Sequence, residues 1–103
     1  MVIYNKAIRD KIPEIIKESG KNCNVKKLNN SEFLIRLEKK LVEELAEYQE
    51  SKNVEELADV LEVIYRISEL KGVVSDELDE IRQKKAEQRG KFDDNLFLVD
   101  SDK

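Results

Sequence analysis

The chain contains no histidine and one cysteine, Cys23. Without histidine there is no imidazole general base, and without a second thiol there is no structural zinc site and no internal disulfide. Any metal held by this chain is held by oxygen. Cys23 and the few aromatic residues read as packing groups. Three glycines and one proline are too few for a turn-rich β sandwich. No apolar run approaches the roughly 20 residues of a membrane span. The opening MVIYNKAIRDK places charges where a secretory leader needs an apolar block. The expectation is a cytoplasmic protein with no membrane association.

What is present is charge and helix-forming sequence. Of 103 residues, 40 % are hydrophobic and 41 % charged, a pairing that suits amphipathic helices with wet outer faces, and the length fits one domain over residues 1–103. The net charge of −4 is unevenly spread. Residues 1–28 balance at +4, residues 29–80 at −9 and residues 81–103 at +1. An acidic middle argues against a nucleic-acid binder, which needs a basic surface. It suits a metal site flanked by groups for an anion, or a bundle with uneven surface charge.

Four helices can be read with their punctuation. The first spans about Arg9 to Ser19, with Pro13 in its first turn and Gly20 beyond its end. Residues 21–30 are polar, with room for a brief extended segment. Ser31 reads as the N-cap of the second helix, whose Leu34, Leu37, Leu41, Leu45 and Tyr48 recur at spacings of three and four. Asn53 reads as the cap of the third, with Glu56 closing a capping box and Gly72 beyond its end. Its apolar positions, from Leu57 to Leu70, cover more than one stripe, which points to a central helix or a subunit contact. Ser75 reads as the cap of a fourth helix, with acids near its start, Lys84, Lys85 and Arg89 near its end, and Gly90 beyond. Phe92, Leu96, Phe97 and Leu98 make an apolar tail that must pack on its own bundle or on a partner. The expected architecture is all-α, a four- to five-helix bundle around a central antiparallel helical hairpin.

That hairpin carries a repeated acidic phrase, EELAE at 43–47 and EELAD at 55–59. With the turn near residue 52, Glu47 lies level with Glu56, and Glu44 with Asp59. Within each helix the two acids are three apart and share a face. Unit charges 4–5 Å apart repel by a few kcal/mol at an effective dielectric of about 20. A divalent cation relieves this, and an all-oxygen set selects Mg²⁺ or Mn²⁺, with Ca²⁺ a further hard cation. Helix capping by Glu56 and ordinary acidic surface are the competing explanations.

The pattern Glu43-Glu44-Leu45-Ala46-Glu47 with Glu56-Leu57-Ala58-Asp59 resembles the all-α nucleoside triphosphate pyrophosphohydrolases, a superfamily of MazG-like proteins, phosphoribosyl-ATP pyrophosphohydrolases and dimeric dUTPases. The opening YNKAIRDKIPEII and the late KKAEQRGKFDDNLFL resemble its small MazG-like or phosphoribosyl-ATP pyrophosphohydrolase-like branch, so the resemblance covers nearly the whole chain. It implies a homo-oligomer, usually a dimer or tetramer. It implies Mg²⁺-dependent cleavage of a nucleotide substrate between the α and β phosphates, giving a monophosphate and pyrophosphate. By resemblance Glu44, Glu47, Glu56 and Asp59 are metal ligands, Glu43 orients or deprotonates the attacking water, and Lys84, Lys85 and Arg89, with Lys6 and Arg9, lie near the phosphates. Only eight residues separate Glu47 from Glu56, fewer than in many MazG proteins, which leaves less wall around a base. The alternative from another class is a non-catalytic helical module that binds a nucleotide or partner. An intact set of mutually repelling acids favours the enzyme.

Overall fold

The structure is a computed structural model and describes residues 2–102. It is all-α: α1 (Ile12–Glu18), α2 (Asn30–Ser51), α3 (Val54–Leu70) and α4 (Ser75–Arg89), with no strand among the described residues. Among the described residues no helix is long and apolar enough to cross a membrane. Residues 21–29 are irregular, so the extended segment expected there is absent as a strand. A lone extended stretch has no partner to complete a ladder.

Three helix boundaries differ from expectation, each for a local reason. The first helix begins at Ile12 rather than Arg9, with Pro13 in its first turn. The cap of α2 is Asn29, not Ser31: its Oδ1 accepts from Glu32 N at 2.9 Å and its Nδ2 donates to Glu32 Oε1 at 3.2 Å. Ser75 is the first helical residue of α4, whose N-cap is Val74 and has no side-chain bond. The glycine stops are as read. After α3, Gly72 has φ +87°, its N–H donates to Glu69 O at 2.9 Å, and Val73 N–H donates to Ser68 O at 3.0 Å. These are the two bonds of a Schellman closure, and the buried Ser68 hydroxyl adds a third by donating to Val73 O at 2.6 Å.

Only Lys52 and Asn53 connect α2 to α3, and the two helices pack on one another. Lys52 takes a left-handed φ of +61° and donates its N–H to Tyr48 O at 2.7 Å. Asn53 caps α3 by accepting from Glu55 N at 3.1 Å, and its own N–H is met by Ser51 Oγ at 3.1 Å. The expected capping box is therefore not formed. A serine does the work assigned to Glu56, which leaves that carboxylate free for the seam between the helices.

The core is small. Ala7, Leu37 and Val63 form its centre, with Phe33, Leu41, Ile67 and Leu70 packed around them. Ala7 belongs to the non-helical N-terminal segment and plants that segment on the α2–α3 pair. The radius of gyration is 17.9 Å, against about 13 Å for a compact domain of this length. Leu45, Leu57 and Leu61, expected on buried faces, are 44–46 % exposed, and Phe92, Leu96, Phe97, Leu98 and Val99 of the tail are 78–97 % exposed.

The cap assignment is testable by thermal or urea unfolding. Asn29→Ala should cost about 1 kcal/mol, whereas Ser31→Ala should stay within about 0.5 kcal/mol, as for a surface substitution. Equal losses at the two positions would contradict the assignment.

Candidate functional site

The site is assembled by three pieces of chain. The last two turns of α2 present Glu43, Glu44 and Glu47, and the first two turns of α3 present Glu56 and Asp59. The N-terminal segment, seated by Ala7, holds Lys6 and Arg9 at the flanks. Carboxylate oxygens of Glu43, Glu44 and Glu47 lie within 4.8 Å of one another, as do those of Glu44, Glu56 and Asp59. Glu44 is the shared corner of the two groups. The four acids that the resemblance makes ligands thus fall into two groups joined at Glu44, Glu47 in one with Glu43, and Glu56 and Asp59 in the other.

Glu44 is the unusual member. It is 7 % exposed, a buried carboxylate on the seam between two helices. Its Oε1 accepts from Lys40 Nζ at 3.2 Å, but its Oε2 is buried with no hydrogen-bond partner. An orphaned charged oxygen costs roughly 1–3 kcal/mol or more. Burial raises the Glu44 carboxyl above its ordinary value and the neighbouring Glu47 raises it further, with Lys40 opposing both. Glu56 is also raised, by desolvation first and then by the charges of Asp59 and Glu44. Glu43 goes the other way: burial would raise it, but Lys6 and Lys40 together hold it below the ordinary range.

The basic groups divide into two sets. Lys6 Nζ donates to Glu43 Oε1 at 3.2 Å, and Arg9 Nη2 donates to Asp59 Oδ1 at 2.7 Å. One segment therefore clamps an acid on each helix. Lys84, Lys85 and Arg89 are exposed on α4, and no ion pair or hydrogen bond among the described residues joins them to the acids. Past Ile81, every α4 residue except Ala86 is exposed. The sequence reading missed Lys40, which lies 3.6 Å from Glu43 and 3.2 Å from Glu44. Its signal was local, since Lys40 stands three and four residues before these acids on one helix face.

These carboxylates could hold a hard cation through oxygen alone, and Glu44 Oε2 has no hydrogen-bond partner among the described residues. This donor set fits Mg²⁺ or Mn²⁺ by charge and ligand type. A divalent ion at the shared corner would satisfy Glu44 Oε2 and replace the mutual repulsion by attraction.

The burial of Glu44 sets a sign for pH dependence in metal-free protein. A raised carboxyl means that the native chain keeps a proton which the unfolded chain has released. Stability from that group is present below the ordinary value of 4.5 and is lost as pH rises through the raised value. Glu43 is opposite: its contribution is present above 4.5 and lost as pH falls through its lowered value. Urea unfolding of wild type and Glu44→Gln should therefore diverge in the variant's favour as pH rises from 4.5 toward neutrality. A pH-independent difference would contradict this. Lys40→Met should cost about 1–3 kcal/mol near neutrality, because it removes the one donor to a buried carboxylate.

Comparison with protein-family models, with curated proteins and with solved structures finds no match for the chain. The resemblance carried by EELAE, EELAD and the two ends of the chain therefore rests on the sequence alone.

Proposed function

We propose that the chain is a metal-dependent nucleotide pyrophosphohydrolase, which hydrolyses a nucleoside triphosphate or related nucleotide to a monophosphate and pyrophosphate in nucleotide-pool clean-up. The observation that carries this reading is the buried Glu44, whose unpartnered Oε2 sits at the shared corner of two carboxylate groups. A purely structural acid would have its lone pairs met. In this reading Glu44, Glu47, Glu56 and Asp59 hold Mg²⁺ or Mn²⁺. The cation would polarise phosphoryl oxygen, lower the pKa of water and orient the leaving group.

The remaining roles follow from the chain's own groups. Glu43, held ionised by Lys6 and Lys40, is a strong hydrogen-bond acceptor and a weak base, which suits orienting a water better than deprotonating it. Lys6 and Arg9 are partly exposed, at 39 % and 55 % of their side chains, and are tethered beside the acids. They can turn from carboxylate to phosphate and meet charge on the phosphoryl oxygens. No ion pair or hydrogen bond among the described residues joins Lys84, Lys85 or Arg89 to the site. Near the C-terminal end of α4 they suit the negative end of the helix dipole. A cytoplasmic setting suits the reading, since magnesium and nucleotides meet there.

A second reading has one observation in its favour. Lys6, Arg9 and Lys40 already neutralise part of the acidic cluster, so a non-catalytic module that binds a nucleotide or partner could hold this site without turnover.

Two measurements separate the readings. Mg²⁺ or Mn²⁺ at about a hundred-fold excess over Kd should stabilise wild type by roughly 2.7 kcal/mol, and Glu47→Gln with Glu56→Gln should remove that shift. A shift of unchanged size in the double variant counts against the cluster. Wild type should release pyrophosphate from a panel of ribo- and deoxyribonucleoside triphosphates and phosphoribosyl-ATP, and Glu44→Gln should abolish release while circular dichroism stays unchanged. Arg9→Ala should weaken turnover or binding by about 1.5–3 kcal/mol, the range for a charged hydrogen bond. If folded wild type releases none from the whole panel with either metal, the enzyme reading fails and the binding module replaces it.

A further inference from the structure

Residues 2–9 form no helix or strand, yet they are tied to both helices of the α2–α3 pair. Ala7 is buried and packs with Leu37 of α2 and Val63 of α3. On one side of it Lys6 Nζ reaches Glu43 Oε1 of α2 at 3.2 Å; on the other Arg9 Nη2 reaches Asp59 Oδ1 of α3 at 2.7 Å. The segment therefore crosses the seam between the helices with one cation on each bank. The two acids it takes come from different carboxylate groups. Glu43 belongs with Glu44 and Glu47, and Asp59 with Glu44 and Glu56. Each group thus holds one cation from the same short stretch of chain. Glu44, the corner that the groups share, takes Lys40 from its own helix and keeps a buried Oε2 without a partner.

We propose that residues 2–11 are a releasable strap: in the metal-free protein Lys6 and Arg9 occupy the two carboxylate groups, and a divalent cation bound at Glu44 displaces both and frees the segment. This rests on the metal-binding part of the function proposed above and adds a regulation of that site.

The attachments are of a kind that releases easily. Both ion pairs stand partly in water, with side chains 34–55 % exposed, and such pairs hold weakly because solvent and salt screen them. Ala7 supplies a single buried methyl group. Val2, Ile3 and Tyr4 before it are exposed and add no anchor, and the Arg36 guanidinium donates to Asn5 O only at 3.4 Å.

A hard divalent cation is the stronger competitor for the same oxygens. It carries twice the charge of either side chain, and it gathers several oxygens at about 2.1 Å where a charged hydrogen bond holds one at about 2.8 Å. Bound at the shared corner, it lies beside both groups, so its charge opposes Lys6 and Arg9 together. Release is concerted because the two cations are three residues apart and share one anchor. Once both pairs are lost, only the methyl group of Ala7 and the long Asn5 bond hold the segment across the seam.

The test is isothermal titration of the full chain with Mg²⁺, beside ¹⁵N relaxation of its backbone. Lys6→Met with Arg9→Met removes both charges at partly exposed positions. Two unit charges taken from beside a cation site should tighten Mg²⁺ binding at least about ten-fold, and Lys6→Arg with Arg9→Lys should return the wild-type dissociation constant. In wild type the order parameters of residues 4–10 should fall from about 0.85 without Mg²⁺ to below about 0.6 at saturation. An unchanged dissociation constant in the variant that lacks both charges overturns the strap alone and leaves the metal site standing. Tighter binding with residues 4–10 still ordered at saturation also overturns it, because the cations would then act at a distance without leaving. So does a segment already disordered without Mg²⁺. Binding seen only once both charges are removed supports the strap. If neither protein binds Mg²⁺, the strap falls together with the metal-dependent reading. Should the double variant fail to fold, Arg9→Met alone decides by the same titration.

Discussion

The buried charge of Glu44 is the constraint around which the rest of this chain is arranged. A carboxylate on the seam of two helices is costly unless it is paired, and the surrounding residues bear on that cost from three directions. Lys40 comes from one turn earlier on the same helix. Lys6 and Arg9 come from a segment with no secondary structure of its own, held in place by the burial of Ala7. Each of these cations takes an acid oxygen, yet one oxygen of Glu44 stays without a partner. The arrangement is thus compensated enough to fold and short of full satisfaction at a single atom. Partial compensation of this kind is expected where a ligand completes the site, because a fully paired cluster would have to break its own bonds to accept one.

The same pairs limit how the site can work. Asp59 is engaged by Arg9 at 2.7 Å and Glu43 by Lys6 at 3.2 Å. On the proposed reading, a cation held by the cluster would compete with Lys6 and Arg9 for carboxylate oxygen and would leave their charges free. A phosphate arriving there would find them.

The acids were legible because their signal is local. Spacings of three within each helix, and a short polar interval between the helices, place Glu44 near Asp59 without knowledge of anything else in the chain. Helix existence was legible for the same reason. The caps were less so, since Asn29, Asn30 and Ser31 are all good N-cap residues and the choice depends on where the preceding irregular segment delivers the chain. Glu56 illustrates a different failure: the capping-box pattern was present, but Ser51 met the Asn53 N–H first. Lys84, Lys85 and Arg89 were read near the end of the fourth helix and lie there; their distance from the acids was not legible. It depends on how far α4 stays on α3, which tertiary packing decides.

The uneven apolar pattern of α3 bears on how firmly the site is held. A helix with so many apolar positions has more than one surface to bury, and a single partner helix covers only one. In this chain α2 takes the side bearing Val60 and Val63, and the start of α4 takes part of a second. Leu57 and Leu61 are left over at the end of the helix that also carries Glu56 and Asp59. The carboxylate cluster is consequently built on the part of the hairpin with the least core of its own. Fixing Glu44, Glu56 and Asp59 to within the few ångströms that a hard cation demands requires rigid helices at that end. Leu45, Leu57 and Leu61, the apolar residues at that end, are 44–46 % exposed within the chain.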